Sequence, residues 1–152
     1  MKITVFLRND HDVLKGLFDR FKKASGPRAS KGAMDLIDEI LRETRIHVQT
    51  EREIFYSALA LSLSVDAPNH VAKAEQQVQV IEKLLSDLTD MNVSDKAFET
   101  TMVSLMEEVD RHIELDEEEI FEEARKILPE YRLEELGLEM ADRKKILSTL
   151  AA

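Results

Sequence analysis

His47-Val48-Gln49-Thr50-Glu51 sets an imidazole and a carboxylate four residues apart in a stretch that reads as amphipathic helix, and His112-Ile113-Glu114-Leu115-Asp116 repeats the arrangement. Side chains at i and i+4 lie one above the other on a helix, close enough to reach a common cation. Around the first fragment, steps of three and four give Ala33, Ile37, Ile40, Thr44, His47, Glu51, Ile54, Ala58, Leu61 and Val65. Around the second they give Phe98, Met102, Leu105, Val109, His112, Asp116, Ile120, Ala124 and Ile127. A third stripe runs Leu7, His11, Leu14, Phe18 and Phe21. Three of the chain's four histidines therefore occupy positions that helical periodicity reserves for the core, as do both carboxylates.

A lone histidine on an apolar face is most often a hydrogen-bonded core residue. A buried carboxylate is harder to accommodate, because an isolated ionised Asp or Glu in a core costs several kcal/mol unless it is paired or bound to a cation. Two such carboxylates, each one turn beyond a histidine, point to a metal site inside a helical bundle, with His11, His47, Glu51, His112 and Asp116 as ligands. The competing arrangement is a metal-free network in which these residues hydrogen-bond one another inside an interaction protein.

The sequence has 152 residues, the size of one domain with a core of its own. It contains no cysteine, so thiolate sites and disulfides are excluded and ligands must be nitrogen and oxygen donors. Imidazole with carboxylate suits iron, manganese or zinc, and open coordination positions favour non-haem iron. The formal net charge of −10 argues against a nucleic-acid partner, which needs clustered Lys and Arg. The N-terminal stretch lacks the apolar run of a signal peptide, and no stretch approaches 18 apolar residues, so a cytoplasmic protein with no membrane partner is expected. Acidic residues crowd Glu114 to Glu123, but there is no glycine for a calcium loop and Ile120-Phe121 keep the helical period. Glu114, Glu117, Glu118, Glu122 and Glu123 read as a solvated face, with Asp116 the exception.

Breakers at Ser25-Gly26-Pro27, Asp66-Ala67-Pro68-Asn69, Met91-Asn92-Val93-Ser94-Asp95 and Pro129 divide the chain into helices near 3–24, 31–64, 69–90, 95–128 and 131–149. Short connections imply antiparallel neighbours. The expected fold is an all-α, antiparallel up-down-up-down four-helix bundle over about 3–128, with a short additional C-terminal helix, in one domain spanning 1–152. That last helix carries Leu133, Leu136, Met140 and Leu147 on one face with Gly137 weakening its middle. It is expected to pack across the bundle or against a second subunit, which leaves a homodimer open.

Asp10-His11 followed by Leu14, Leu17-Phe18 and Phe21, then His47 and Glu51 with Glu53-Ile54-Phe55-Tyr56, then His112 and Asp116 with Glu119-Ile120-Phe121, resembles the hemerythrin-like, or HHE cation-binding, domain. The resemblance covers about residues 3–128. It implies a bundle holding a carboxylate-bridged non-haem di-iron centre that binds or senses dioxygen or nitric oxide. His11 would be the ligand from the first helix, His47 and Glu51 those from the second, and His112 and Asp116 those from the fourth. The chain departs from the family in its third helix, where the position of the expected histidine is Val78. Valine coordinates nothing, so one iron would lack a nitrogen ligand, leaving an incomplete or mononuclear site, or one preferring zinc or manganese.

Three side chains on that helix are candidate replacements. Glu75 and Glu82 flank Val78 around the helix axis, and His70 has an inward angular position but lies about 12 Å below Val78 at 1.5 Å per residue. Tyr56 reads as a packed aromatic with its hydroxyl bonded. A ferritin-like di-iron oxidase would need an acid three residues before each histidine; these positions are Arg8, Thr44, Ala67 and Val109. Binding rather than catalysis is the expected function.

Overall fold

A computed structural model describes residues 1–62 and 67–151, with the backbone alone for 67–69. The apolar stripes fold as helices that bury them. α1 spans Ile3–Lys23. α2 starts at Lys31, where Ser30 caps the helix by accepting from the Ala33 backbone N–H, and it has three parts: α-helical Lys31–Thr50, a π-helical turn Glu51–Tyr56, and α-helical Ser57–Leu61. α3 spans Ala67–Asp90. α4 is built like α2, with Lys96–Leu115, a π-helical turn Asp116–Ile120, and Phe121–Ile127. α5 spans Glu130–Ala151. The second helix was expected to reach 64 and its stripe Val65, positions that lie outside the described residues. Every described helical boundary otherwise falls within two or three residues of expectation.

Cross-helix pairs give the directions. Arg45 meets Thr89 and Arg52 meets Glu82, so α2 and α3 are antiparallel. Gln77 meets His112 and His70 meets Glu119, so α3 and α4 are antiparallel as well. The fifth helix lies outside these four, against α1 and α2. It runs parallel to α1, since Lys2 pairs with Glu130 and Asp10 with Lys144, and Arg143 ties it to Glu53 of α2. Gly137 was expected to weaken this helix; it is instead its contact point. A Cβ there would stand 1.9 Å from the carbonyl oxygen of Met1, so only glycine lets the N-terminal backbone come this close. Among the described residues, no helix is long and apolar enough to cross a membrane.

The π turns alter the stripes where it matters. A turn closed by i→i+5 bonds is wider than an α turn and is frequent at functional sites. The periodic stripe of α2 predicted Ile54 and Leu61 in the core. Instead Phe55, Tyr56 and Leu59 are buried, Ile54 is half-buried and Leu61 is 81% exposed. Just before the turn, the Thr50 hydroxyl donates to the carbonyls of Ile46 and His47, a local bond that competes with the regular ladder.

Candidate metal centre

At mid-bundle the apolar core gives way to His11, His47, Glu51, His112 and Asp116, each at most 1% exposed. Their inward atoms are close together. His112 Nε2 lies 2.7 Å from Glu51 Oε1 and 3.5 Å from Asp116 Oδ2, and His11 Nε2 lies 3.4 Å from Asp116 Oδ2. His47 Nε2 is 3.8 Å from Glu51 Oε1. One donor atom from each of His11, His47, Glu51 and Asp116 can be chosen so that all four lie within 4.8 Å of one another. Donors around one ion at about 2.1 Å stand no more than about 4.2 Å apart, so small rotamer shifts would close this set on a cation.

Each imidazole is held from behind. His47 Nδ1 donates to Asp10 Oδ2 at 2.7 Å, His11 Nδ1 to Glu117 Oε2 at 2.6 Å, and His112 Nδ1 to Gln77 Oε1 at 3.2 Å. Because carboxylates and amide oxygens accept, each Nδ1 carries a proton and each Nε2 faces the centre, the usual orientation of metal-binding histidines. The two carboxylates behind are themselves paired: Asp10 with Lys144 of α5, and Glu117 with Arg8 at 2.8 Å. Tyr56 donates its single phenol proton between Asp116 Oδ1 at 2.5 Å and Glu51 Oε1 at 2.8 Å. The π turn explains this contact, since it brings the residue five positions on back over Glu51.

Burial and charge set the protonation. Burial lowers the His47 pKa, but Glu51, Asp10 and Asp116 outweigh it and raise it to about 9. Burial would raise Asp10, yet the bond and charge of His47 with the charge of Lys144 hold it at about 2. Asp116 is pushed up to about 6 by burial and by Glu51. His112 is lowered to about 4 by burial, helped by His47 and His11. Burial, Asp116 and Glu51 raise Tyr56 well above the usual phenol range, so it stays a neutral donor.

The residues fit a bound metal ion. His11 Nε2, His47 Nε2, Glu51 Oε2 and Asp116 Oδ2 are buried and take no hydrogen bond, and a cation among them would satisfy all four. An imidazole–carboxylate set without thiolate belongs to first-row transition metals.

Among the described residues, the third helix offers no donor to this group. Val78 is fully buried among apolar side chains. Glu82 is an exposed partner of Arg52, His70 stands 3.7 Å from Glu119 and is a third exposed, and Glu75 is half-buried. None of the three joins the four-residue set. Glu117, expected on the solvated face, is only 17% exposed because it turns in to His11. Asp10 and Lys144 carried no ligand spacing, and the π turn that delivers Tyr56 lies outside a 3.6-residue period.

The comparisons agree with this geometry. The pattern of the hemerythrin HHE cation binding domain matches residues 2–124. Among solved structures, that of a hemerythrin HHE cation binding domain-containing protein from Mycobacterium kansasii superposes with a TM-score of 0.82 at 26% identity, covering 97% of this chain and 87% of that one. No curated protein matches. With a match over residues 2–124 and a buried imidazole–carboxylate cluster inside the bundle, the chain belongs to the hemerythrin HHE cation-binding domain family.

Proposed function

We propose that the protein binds non-haem iron at this centre and uses it to bind or sense dioxygen or nitric oxide. The observation that carries the reading is the set of four buried, unpartnered donor atoms faced by imidazoles whose outer nitrogens are already fixed. His11, His47, Glu51, His112 and Asp116 would hold the metal, with Tyr56 donating into the same space. Bound iron would supply reversible redox change and an open position for a diatomic ligand.

The chain's own residues prepare the site. Asp10, Glu117 and Gln77 orient the rings, and buried Phe121, stacked on His11, with Phe55 against Phe121 and Tyr56, forms an apolar wall that excludes water. A surface groove of about 650 Å³ lined by Lys15, Phe18, Asp19, Ile113 and Glu117 reaches the outer side of His11, for Glu117 is both groove wall and His11 partner. Zinc or manganese would use the same donors.

The test is metal analysis of protein purified without chelator, followed by anaerobic ferrous titration watched by visible absorption before and after adding dioxygen or nitric oxide. One to two irons per chain and a ligand-dependent charge-transfer band are expected. Failure of every first-row ion to bind would favour the metal-free interaction bundle. Binding of zinc or manganese with no response to iron would overturn the iron and diatomic readings and leave metal binding standing.

A further inference from the structure

The five inward residues do not form one symmetric cage. The four residues whose donor atoms gather within 4.8 Å are the same four that carry an unpartnered buried atom: His11, His47, Glu51 and Asp116. His112 is excluded on both counts. Its Nε2 is crowded by Glu51 Oε1 at 2.7 Å and lies 3.4 Å from the Tyr56 hydroxyl. Each carboxylate is divided in the same way. Glu51 Oε1 and Asp116 Oδ1 are taken by Tyr56, while Glu51 Oε2 and Asp116 Oδ2 are free.

The supports behind the rings divide likewise. His11 and His47 are backed by carboxylates, each paired with a cation, and carboxylate acceptors raise the basicity of an imidazole ligand. His112 is backed by the neutral amide of Gln77 at a longer 3.2 Å. Next to Gln77, where a further donor could have completed the His112 side, the core holds Val78.

We propose that this chain binds metal in two unequal steps: a first divalent transition-metal ion at His11, His47, Glu51 and Asp116, and a second, weaker one at His112. The first step fills a position with free donors. The second requires Glu51 Oε1 to give up its bond from Tyr56 and to draw back from His112 Nε2, which it crowds, to make room for a cation. At limiting metal the protein is therefore mononuclear, and it becomes dinuclear only when the metal supply rises. This inference rests on the metal-binding reading above.

The test is titration of the metal-stripped, full-length protein with Co²⁺, followed by calorimetry and by the d–d absorption bands that report coordination number. Two phases are expected, the first tighter by about 10- to 100-fold, the range set by partners behind ligating histidines. His112→Ala should lose the second phase and keep the first, and Glu117→Gln should weaken the first. Gln77→Glu should strengthen the second by about tenfold, bringing the phases together; this variant keeps the test alive if His112→Ala does not fold. One indivisible two-ion step, loss of the first phase in His112→Ala, or no effect of Gln77→Glu would overturn the inference while leaving metal binding intact. Absence of any binding would remove both.

Discussion

α3 and α5 do the reverse of what their places in the chain imply. α3 is a wall of the bundle, yet its core face carries Ala74, Val78, Ile81 and Leu85, and among the described residues its one hydrogen bond to the centre is the amide of Gln77 on His112. α5 lies outside the bundle, yet it puts Lys144 on Asp10 behind His47 and Arg143 on Glu53, two residues past Glu51. A helix belongs to a buried polar site through the chain of charged contacts it completes. Sharing the core is not enough.

The largest effect should follow from unseating α5. Gly137→Leu drives a side chain into the Met1 carbonyl, and Leu133, Leu136 and Met140 lose their burial if the helix lifts. A loss above about 3 kcal/mol is expected, at the upper end of overpacking costs, which at roughly 2 to 4 °C per kcal/mol lowers Tm by about 10 °C. Val80→Ala on the exposed face of α3 is the control and should stay within about 0.5 kcal/mol. Thermal unfolding by circular dichroism gives both values. If the folded fraction of Gly137→Leu still bound metal with parental affinity, α5 would be scaffold only and the contrast with α3 would collapse.

Next in size is Asp10→Asn. The asparagine keeps an acceptor for His47 but loses the charge that holds the ring and pairs with Lys144, so metal affinity should fall by about 10- to 100-fold. Gln77→Ala on the α3 side removes only a neutral acceptor, and a smaller loss is expected. Calorimetric titration of the two variants side by side tests the order; equal losses would mean that the two helices support the centre alike.

This division of labour also explains what could be read from the sequence. His11, His47, Glu51, His112 and Asp116 stood out because each interrupts an apolar stripe of helical period, and the four-plus-one helix arrangement followed from the same stripes and their breakers. Glu117 did not stand out, because one inward carboxylate in an acidic run has the same spacing as its solvated neighbours. Lys144 and Asp10 are 134 residues apart, a pairing that only the docked α5 creates. Tyr56 reaches Glu51 through a π turn, and local periodicity assumes the α turn that it replaces.

Protons should separate the two sides as well. In the metal-free protein His47 is raised to about 9, above its unfolded value of 6.5, by Glu51 and Asp10 against the pull of burial. Its contribution to stability is therefore fully present below about 6.5 and lost as pH rises through about 9. A metal ion must displace this proton, so affinity at the His47 position should rise with pH up to about 9, at most tenfold per unit. Below about 6 protonation of Asp116 adds to the competition. His112, lowered to about 4 mainly by burial, has no ring charge to lose near neutrality, so its own contribution should stay flat there. Titrations between pH 6 and 9 measure the slope; a flat profile for the tighter phase would contradict the charge assigned to His47.

The smallest effect tests the most remote link. Lys144 is about a quarter exposed and touches no inward donor, so a purely structural role predicts that Lys144→Met lowers Tm slightly and nothing else. If α5 acts on the centre through Asp10, the variant should also weaken metal binding by about two- to fivefold, the size of a partly exposed ion pair worth up to about 1 kcal/mol. It should raise the pH at which His47 loses its proton, because a nearby cation is gone and the Asp10 charge is no longer shared with it, and the more tightly held proton competes with the metal. Nitrogen-15 chemical shifts of the His47 ring in the metal-free protein report that titration directly. Lys144→Arg retains the charge and should restore both affinity and titration. A Met variant with parental affinity and an unchanged ring titration would place the end of the chain of contacts at Asp10, and α5 would then serve the centre through Arg143 and packing alone.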